Sequence, residues 1–156
     1  MKKILPLAFL LLISMSQPAP AESESEFYSS LMKKQTATVE DAVRLLARYK
    51  GYAGHSDMVR EMDFLFKQNV RFRKDILELR QSPVTAGNTA HLMIESAGLR
   101  GGVMAWVFRS NQRYALRQAV HLGLMPDDVS VDDVLSGRDL LGFVSKLAQI
   151  STVKKR

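Results

Sequence analysis

The chain has 156 residues, of which 46% are hydrophobic and 24% charged, with a net charge of +6 and no cysteine. This length excludes a large multidomain enzyme. The balanced composition argues against a collagen-like fibre, a wholly disordered chain and a polytopic membrane protein. The lack of cysteine excludes disulfides, thiolate catalysis, cysteine zinc sites and iron–sulfur clusters. One globular domain is therefore expected.

The first 21 residues have the three parts of a secretory signal peptide. Lys2 and Lys3 precede an apolar run over residues 4–13, and Ala19-Pro20-Ala21 supplies the small residues of a cleavage site. The run is about half as long as the roughly 20 residues that a membrane-spanning helix needs. We predict cleavage after Ala21, export to the periplasm or the extracellular space, and no transmembrane segment in the mature chain. Because no cysteine follows, lipid attachment to an N-terminal cysteine is not expected.

Apolar residues recur at helical spacing through most of the remaining chain. This pattern predicts an all-α domain over residues 37–150, a compact bundle of five or six short helices. An acidic segment at 22–36, flexible or partly helical, precedes the domain, and a basic tail at 151–156 follows it. Side chains typical of helix N-caps mark the predicted helix starts: Thr38, Ser56, Thr85, Asn111 and Ser136.

The first two predicted helices of this domain each have a clear apolar face. In the first, Arg44 and Arg48 fall opposite the apolar residues, on a face expected to be solvated, where Glu40 can form an exposed ion pair with Arg44. In the second, Phe64 falls opposite a face that is expected to enter the core and that consists of Met58, Val59, Met62, Leu65 and Phe66.

Three of the predicted helix starts share a pattern and a spacing. Thr38, Thr85 and Ser136 each begin a helix with apolar or small residues at the fifth, sixth and ninth positions, and they are roughly 50 residues apart, as in proteins built from repeated helical pairs. The segment at 119–125, Ala-Val-His-Leu-Gly-Leu-Met, is similar to the phrase that ends a helix in the S-layer homology module, and the segments starting at Thr85 and Ser136 resemble its next helix start.

The resemblance to the S-layer homology family covers at most residues 57–148, and it implies a fold of helical repeats. In that family the helix-start motif carries binding of cell-wall polymer. The family's recognition arginine is replaced here by Ala86 and Gly137, and its acidic partner is present only as Asp139. The resemblance therefore implies the fold more than it implies the ligand.

The sequence offers little support for catalysis, and we predict no catalytic, cofactor or metal site. The three histidines are far apart, and no pair has the spacing of zinc ligands. A secreted hydrolase is the weakest alternative, since Ser30-x-x-Lys33 and Ser151-x-x-Lys154 have the spacing of serine–lysine hydrolases but lack the companion motifs. The acidic segment at 127–133 lacks the ligand pattern of an EF-hand.

A basic and aromatic surface is the best candidate for binding. Arg109, Arg113 and Arg117 recur every four residues beside Tyr114 and near Trp106. Guanidinium groups in such a row suit carboxylates or phosphates, whereas the alternative is a solvated helix edge.

The sequence thus predicts an exported, non-catalytic cell-envelope protein that acts as a structural or protein-interaction module. The alternative is a binder of anionic envelope polymer or lipid headgroups. Neither a cofactor nor a nucleic-acid partner is expected, because an exported protein seldom meets nucleic acid.

Overall fold

The computed structural model describes residues 24–99 and 111–153 of the chain. These residues form six α-helices: α1 (Glu24–Lys33), α2 (Val39–Tyr49), α3 (Met58–Lys67), α4 (Ala86–Ala97), α5 (Gln112–His121) and α6 (Gly137–Val153). Within the same residues, β-structure is limited to two isolated bridges, Thr38 with Pro83 and Thr85 with Val134. The predicted all-α class is confirmed.

Side-chain caps begin the helices largely where the sequence places them. Thr38 and Asp41 form a reciprocal capping box at the start of α2, and Thr85 and Asn111 cap α4 and α5. The Ser136 hydroxyl accepts a hydrogen bond from the backbone N–H of Asp139 at the start of α6. The exception is α3, whose N-cap is Asp57 rather than Ser56.

Ser56 precedes the cap of α3 and does not cap the helix itself, since its hydroxyl has another partner. It accepts a hydrogen bond from the Arg48 guanidinium, at 3.0 Å. The carboxylate of Asp57 accepts from the backbone N–H of Val59 instead, at 3.0 Å. Both residue types are good caps, so the sequence alone does not distinguish these two neighbours.

Three backbone hydrogen bonds join the segments that precede α2, α4 and α6 into a closed ring. The N–H of Ala37 donates to the carbonyl of Leu135 at 2.8 Å, Leu135 donates to Val84 at 3.1 Å, and Val84 donates to Ala37 at 2.9 Å. All three residues are buried. Each of them stands directly before one of the three caps that share the roughly 50-residue spacing. Helices α2, α4 and α6 therefore start from equivalent positions around one point.

The three helices that start at this ring pack against one another, and each also packs against a second helix. Helix α3 lies on α2, α5 lies on α4, and α1 lies on α6. The first helix of the described residues thus pairs with the last one. This arrangement agrees with the repeated helical pairs that the cap spacing predicts, whereas the relation to the S-layer homology family stays a prediction.

Helix α1 belongs to the core, so the predicted domain start at residue 37 is too late. Phe27 and Leu31 of this helix are 2% and 0% exposed. They join a core whose largest fully buried apolar side chains elsewhere are Val43, Leu46, Leu65, Val70, Val84, Met93, Leu124, Leu140 and Leu147. No helix in the described part of the chain is both long enough and apolar enough to cross a bilayer.

Candidate interaction surface

Helix α3 faces the core with a different set of residues from the one that the sequence predicts. Met58 and Leu65 are buried as predicted, but Val59 is 58% exposed and Phe66 is 66% exposed. Phe64, predicted to lie opposite the core, is half-buried with its ring centroid 5.3 Å from that of Tyr52. The prediction that Val59 and Phe66 enter the core is therefore wrong.

The residue that takes the core-facing position on α3 is Glu61, which is fully buried. Its Oε1 lies 3.4 Å from Nε of Arg44 and 3.6 Å from Nη1 of Arg48, two arginines on the neighbouring α2. The side chains of these arginines are only 16% and 7% exposed. The predicted solvated face of α2 is instead the face on which α3 packs.

The two arginines have further partners that fix them in this position. Arg44 donates to the Glu40 carboxylate at 3.0 Å, so the predicted ion pair forms, although both side chains are largely buried. The Arg48 guanidinium lies 4.3 Å from the ring centroid of Phe27, within the range of a cation–π interaction. We call Arg44, Arg48 and Glu61 the buried ion cluster.

Burial dominates the electrostatics of this cluster. Removal from water raises the pKa of Glu61 above its ordinary value of 4.5, although the positive charges of Arg44 and Arg48 act in the opposite direction. The two distances to Oε1 exceed those of good hydrogen bonds, and neither carboxylate oxygen of Glu61 has a hydrogen-bond partner among the described residues. The attraction within the cluster is thus mainly Coulombic.

The orientation imposed by Glu61 leaves apolar side chains on the outer face of α3. Val59 and Phe66 are two turns apart on the helix, and the half-buried Met62 lies between them. Leu77, which is 45% exposed, lines the same open depression as Val59. We call Val59, Met62, Phe66 and Leu77 the α3 surface.

Charged residues surround the α3 surface, and most of them are paired. Lys67 lies 2.7 Å from Asp63, and Arg60 lies 3.7 Å from Asp57. Arg80 lines the depression beside Val59 and Leu77, is exposed, and has no ion-pair partner among the described residues. Arg80 is therefore a positive charge at the border of this apolar surface that no acid among the described residues pairs with.

The predicted basic surface is only partly within the described residues. Arg113 and Arg117 are exposed one turn apart on α5, and Tyr114 between them is half-buried. Arg109 and Trp106 lie outside the described residues. The structure thus places two of the three arginines together on one exposed face, and sequence periodicity is sufficient to find that pair.

A second depression is lined by both polar and apolar side chains. It lies between the start of α2, the turns at 70–79, α4 and the start of α5, and it is lined by His91 among other residues. The His91 side chain on α4 is half-buried there. Sequence reasoning missed this depression because its walls come from four separated segments.

Ser30 is the serine of one of the two serine–lysine spacings. The Ser30 hydroxyl donates to the carbonyl of Phe27 in its own helix, at 2.9 Å. Across residues 24–99 and 111–153, no three histidine, aspartate or glutamate side chains are grouped so as to hold a metal ion.

Comparison with known proteins gave no relative on which to base a function. No protein-family model, no curated protein and no solved structure matches this chain.

Proposed function

We propose that the chain is an exported, non-catalytic protein of the cell envelope that acts as a protein-interaction or structural module. Export rests on the predicted signal peptide that ends at Ala21. The single observation that supports interaction is the exposure of Val59 and Phe66 on one face of α3. Large apolar side chains grouped in this way are typical of protein-binding surfaces.

The partner that fits this surface is an amphipathic helix with an acidic residue at its edge. Apolar residues at positions 59, 62 and 66 form a ridge along α3, and a helix can pack against such a ridge. Leu77 extends the apolar area on one side. The uncompensated charge of Arg80 lies at that border and favours a partner carboxylate.

Photo-crosslinking in cells tests this proposal. A photo-reactive residue at position 66 is expected to give a discrete adduct with an envelope protein. The matched control is position 134, because Val134 is 51% exposed and lies outside the α3 surface. No adduct at position 66, or the same adducts at both positions, would contradict the proposal.

Two further measurements separate the parts of the proposal. Mass spectrometry of the protein from the envelope fraction is expected to find Glu22 as the first residue. Phe66→Ser is expected to abolish the adduct formed from a photo-reactive residue at position 59, while the free energy of unfolding changes by no more than about 0.5 kcal/mol, as for exposed sites. A large loss of stability would show that Phe66 serves the fold rather than a partner.

A second candidate function is binding of an anionic envelope polymer or lipid headgroups. It is supported by Arg113 and Arg117, which are exposed one turn apart and form no ion pair with any described residue. Binding to such a ligand should weaken steeply with salt, and it should be lost in Arg113→Glu/Arg117→Glu. Binding that does not depend on salt would contradict this candidate.

A further inference from the structure

The depression between α2, α4, α5 and the turns at 70–79 is a cavity of about 300 Å³. This volume is at the lower end of the range of small-molecule pockets, about 300 to 1,000 Å³. Its apolar lining residues are chiefly Phe72, Ile76, Leu79, Val84 and Leu92. An apolar group of modest size can therefore be removed from water there.

Polar side chains from α4 also line the cavity. Asn88, His91 and Glu95 follow each other at helical spacing, and all three line the cavity. The Asn88 amide oxygen accepts a hydrogen bond from Gln112, so these two amides partly satisfy each other. Burial lowers the pKa of His91 and so favours its neutral form, although the weaker effect of Glu95 opposes this shift.

The positive charges of the cavity stand on the segment opposite α4. Arg73 is held by Asp75 through two hydrogen bonds of 2.7 and 3.0 Å, and this pairing lowers the pKa of Asp75. Arg71 is exposed, lines the cavity, and forms no ion pair with a described residue. Arg71 is thus the charge in this wall that is available to a ligand.

We propose that this cavity binds a small amphipathic monocarboxylate, with its apolar body against Ile76 and Leu79 and its carboxylate at Arg71. The Glu95 carboxylate on α4 disfavours an anionic group at the opposite wall, so the ligand has one favourable orientation. A guanidinium group can hold both oxygens of a carboxylate. This site is separate from the α3 surface and does not depend on the proposed protein partner.

Calorimetric titration of the complete chain with hexanoate, octanoate and octylammonium tests the proposal. Octanoate is expected to bind saturably and about tenfold more tightly than hexanoate, since each buried methylene group strengthens binding up to about fourfold. Octylammonium should bind at least tenfold more weakly than octanoate. Absence of saturable octanoate binding up to about 10 mM, or equal affinity for the amine, would overturn the proposal.

Matched variants locate the bound molecule. Arg71→Gln should weaken octanoate binding at least threefold, whereas Arg80→Gln, which removes an exposed arginine outside the cavity, should leave it unchanged. Leu79→Trp should fill the cavity and abolish binding, whereas Leu77→Trp should not, because Leu77 lies in the other depression. Leu79 is already 36% exposed, so its replacement is compatible with folding, which circular dichroism checks. The assignment of the bound octanoate to this cavity would be overturned if the two arginine variants weakened binding equally, or if the two leucine variants did.

Discussion

The buried ion cluster provides the most decisive test of how this fold is held together. In Arg48→Met, an apolar side chain of similar length replaces the guanidinium group that lies 3.6 Å from Glu61 and 4.3 Å from the Phe27 ring centroid. Glu61 then remains fully buried with only Arg44, at 3.4 Å, to offset the cost of removing its charge from water. We expect a large loss of stability at pH 7.

The magnitude follows from the loss of one partner of a buried ion pair. Such a change costs about 3 to 5 kcal/mol when the remaining charge is left without compensation. Because Arg44 still lies beside Glu61, we expect a value near the lower end, about 3 kcal/mol. The methionine sulfur can restore part of the contact with Phe27, so the lost cation–π interaction adds little.

The effect of Arg48→Met should depend on pH in a defined direction. The pKa of Glu61 is higher in the folded chain than its unfolded value near 4.5, so the folded state binds the proton of Glu61 more tightly. The stability that this protonation contributes is fully present below pH 4.5, and it is lost as pH rises through the folded pKa. Removal of Arg48 raises the folded pKa further. The variant should therefore be destabilised more at pH 7 than at pH 4.5.

Urea unfolding at both pH values, followed by circular dichroism, measures these differences. The double variant Arg48→Met/Glu61→Leu is the matched control, because it removes the buried carboxylate together with its partner. It should recover to within about 1 kcal/mol of the original chain at pH 7 and lose the extra dependence on pH. A loss below about 1 kcal/mol in Arg48→Met, or the same loss at both pH values, would refute this account of the cluster.

Two further predictions concern the helix starts at the backbone ring, and both are measured by urea unfolding. Gly137→Ala should destabilise the chain by at least about 1 to 3 kcal/mol, because the added Cβ would overlap the Leu31 carbonyl oxygen. The control is Gly142→Ala in the same helix, where nothing lies within 4 Å of the added Cβ, so alanine should be neutral or stabilising. A greater loss at Gly142 would contradict this packing of α6 on α1. Thr85→Ala should lower the free energy of unfolding by about 1 kcal/mol, because it removes the hydroxyl that accepts from the Asn88 N–H. Thr85→Ser keeps a hydroxyl and should retain most of that stability. Equal losses in the two variants would show that the hydroxyl is not the cause.

The helix starts were predictable because they depend on local chemistry. The hydroxyls of Thr38, Thr85 and Ser136 satisfy backbone N–H groups only three residues ahead, and that distance is fixed by the helix itself. The order around the ring was not predictable. It depends on hydrogen bonds between residues far apart in the chain, such as Leu135 and Val84.

The orientation of α3 was not predictable from its own residues. Periodicity alone makes Val59, Met62 and Phe66 as suitable for the core as Met58 and Leu65. The signal that was available lies on two helices, since Arg44 and Arg48 on one face of α2 require an acid from a neighbour if that face is buried. The prediction that these arginines are solvated leaves no reason to expect a buried acid on α3, and therefore predicts neither the buried ion cluster nor the α3 surface.

The exposure of Phe66 is linked to the burial of Glu61 by an exchange of side chains. Turning α3 so that Val59 and Phe66 enter the core would bring Met58 and Leu65 toward water, and each such side chain gains about 1.5 to 3 kcal/mol by burial. These apolar changes largely cancel. This rotation of α3 would also move Glu61 away from Arg44 and Arg48. Because α3 would still cover both arginines, the loss of Glu61 would cost about 3 kcal/mol or more. Electrostatics in the core therefore decides which apolar residues α3 exposes.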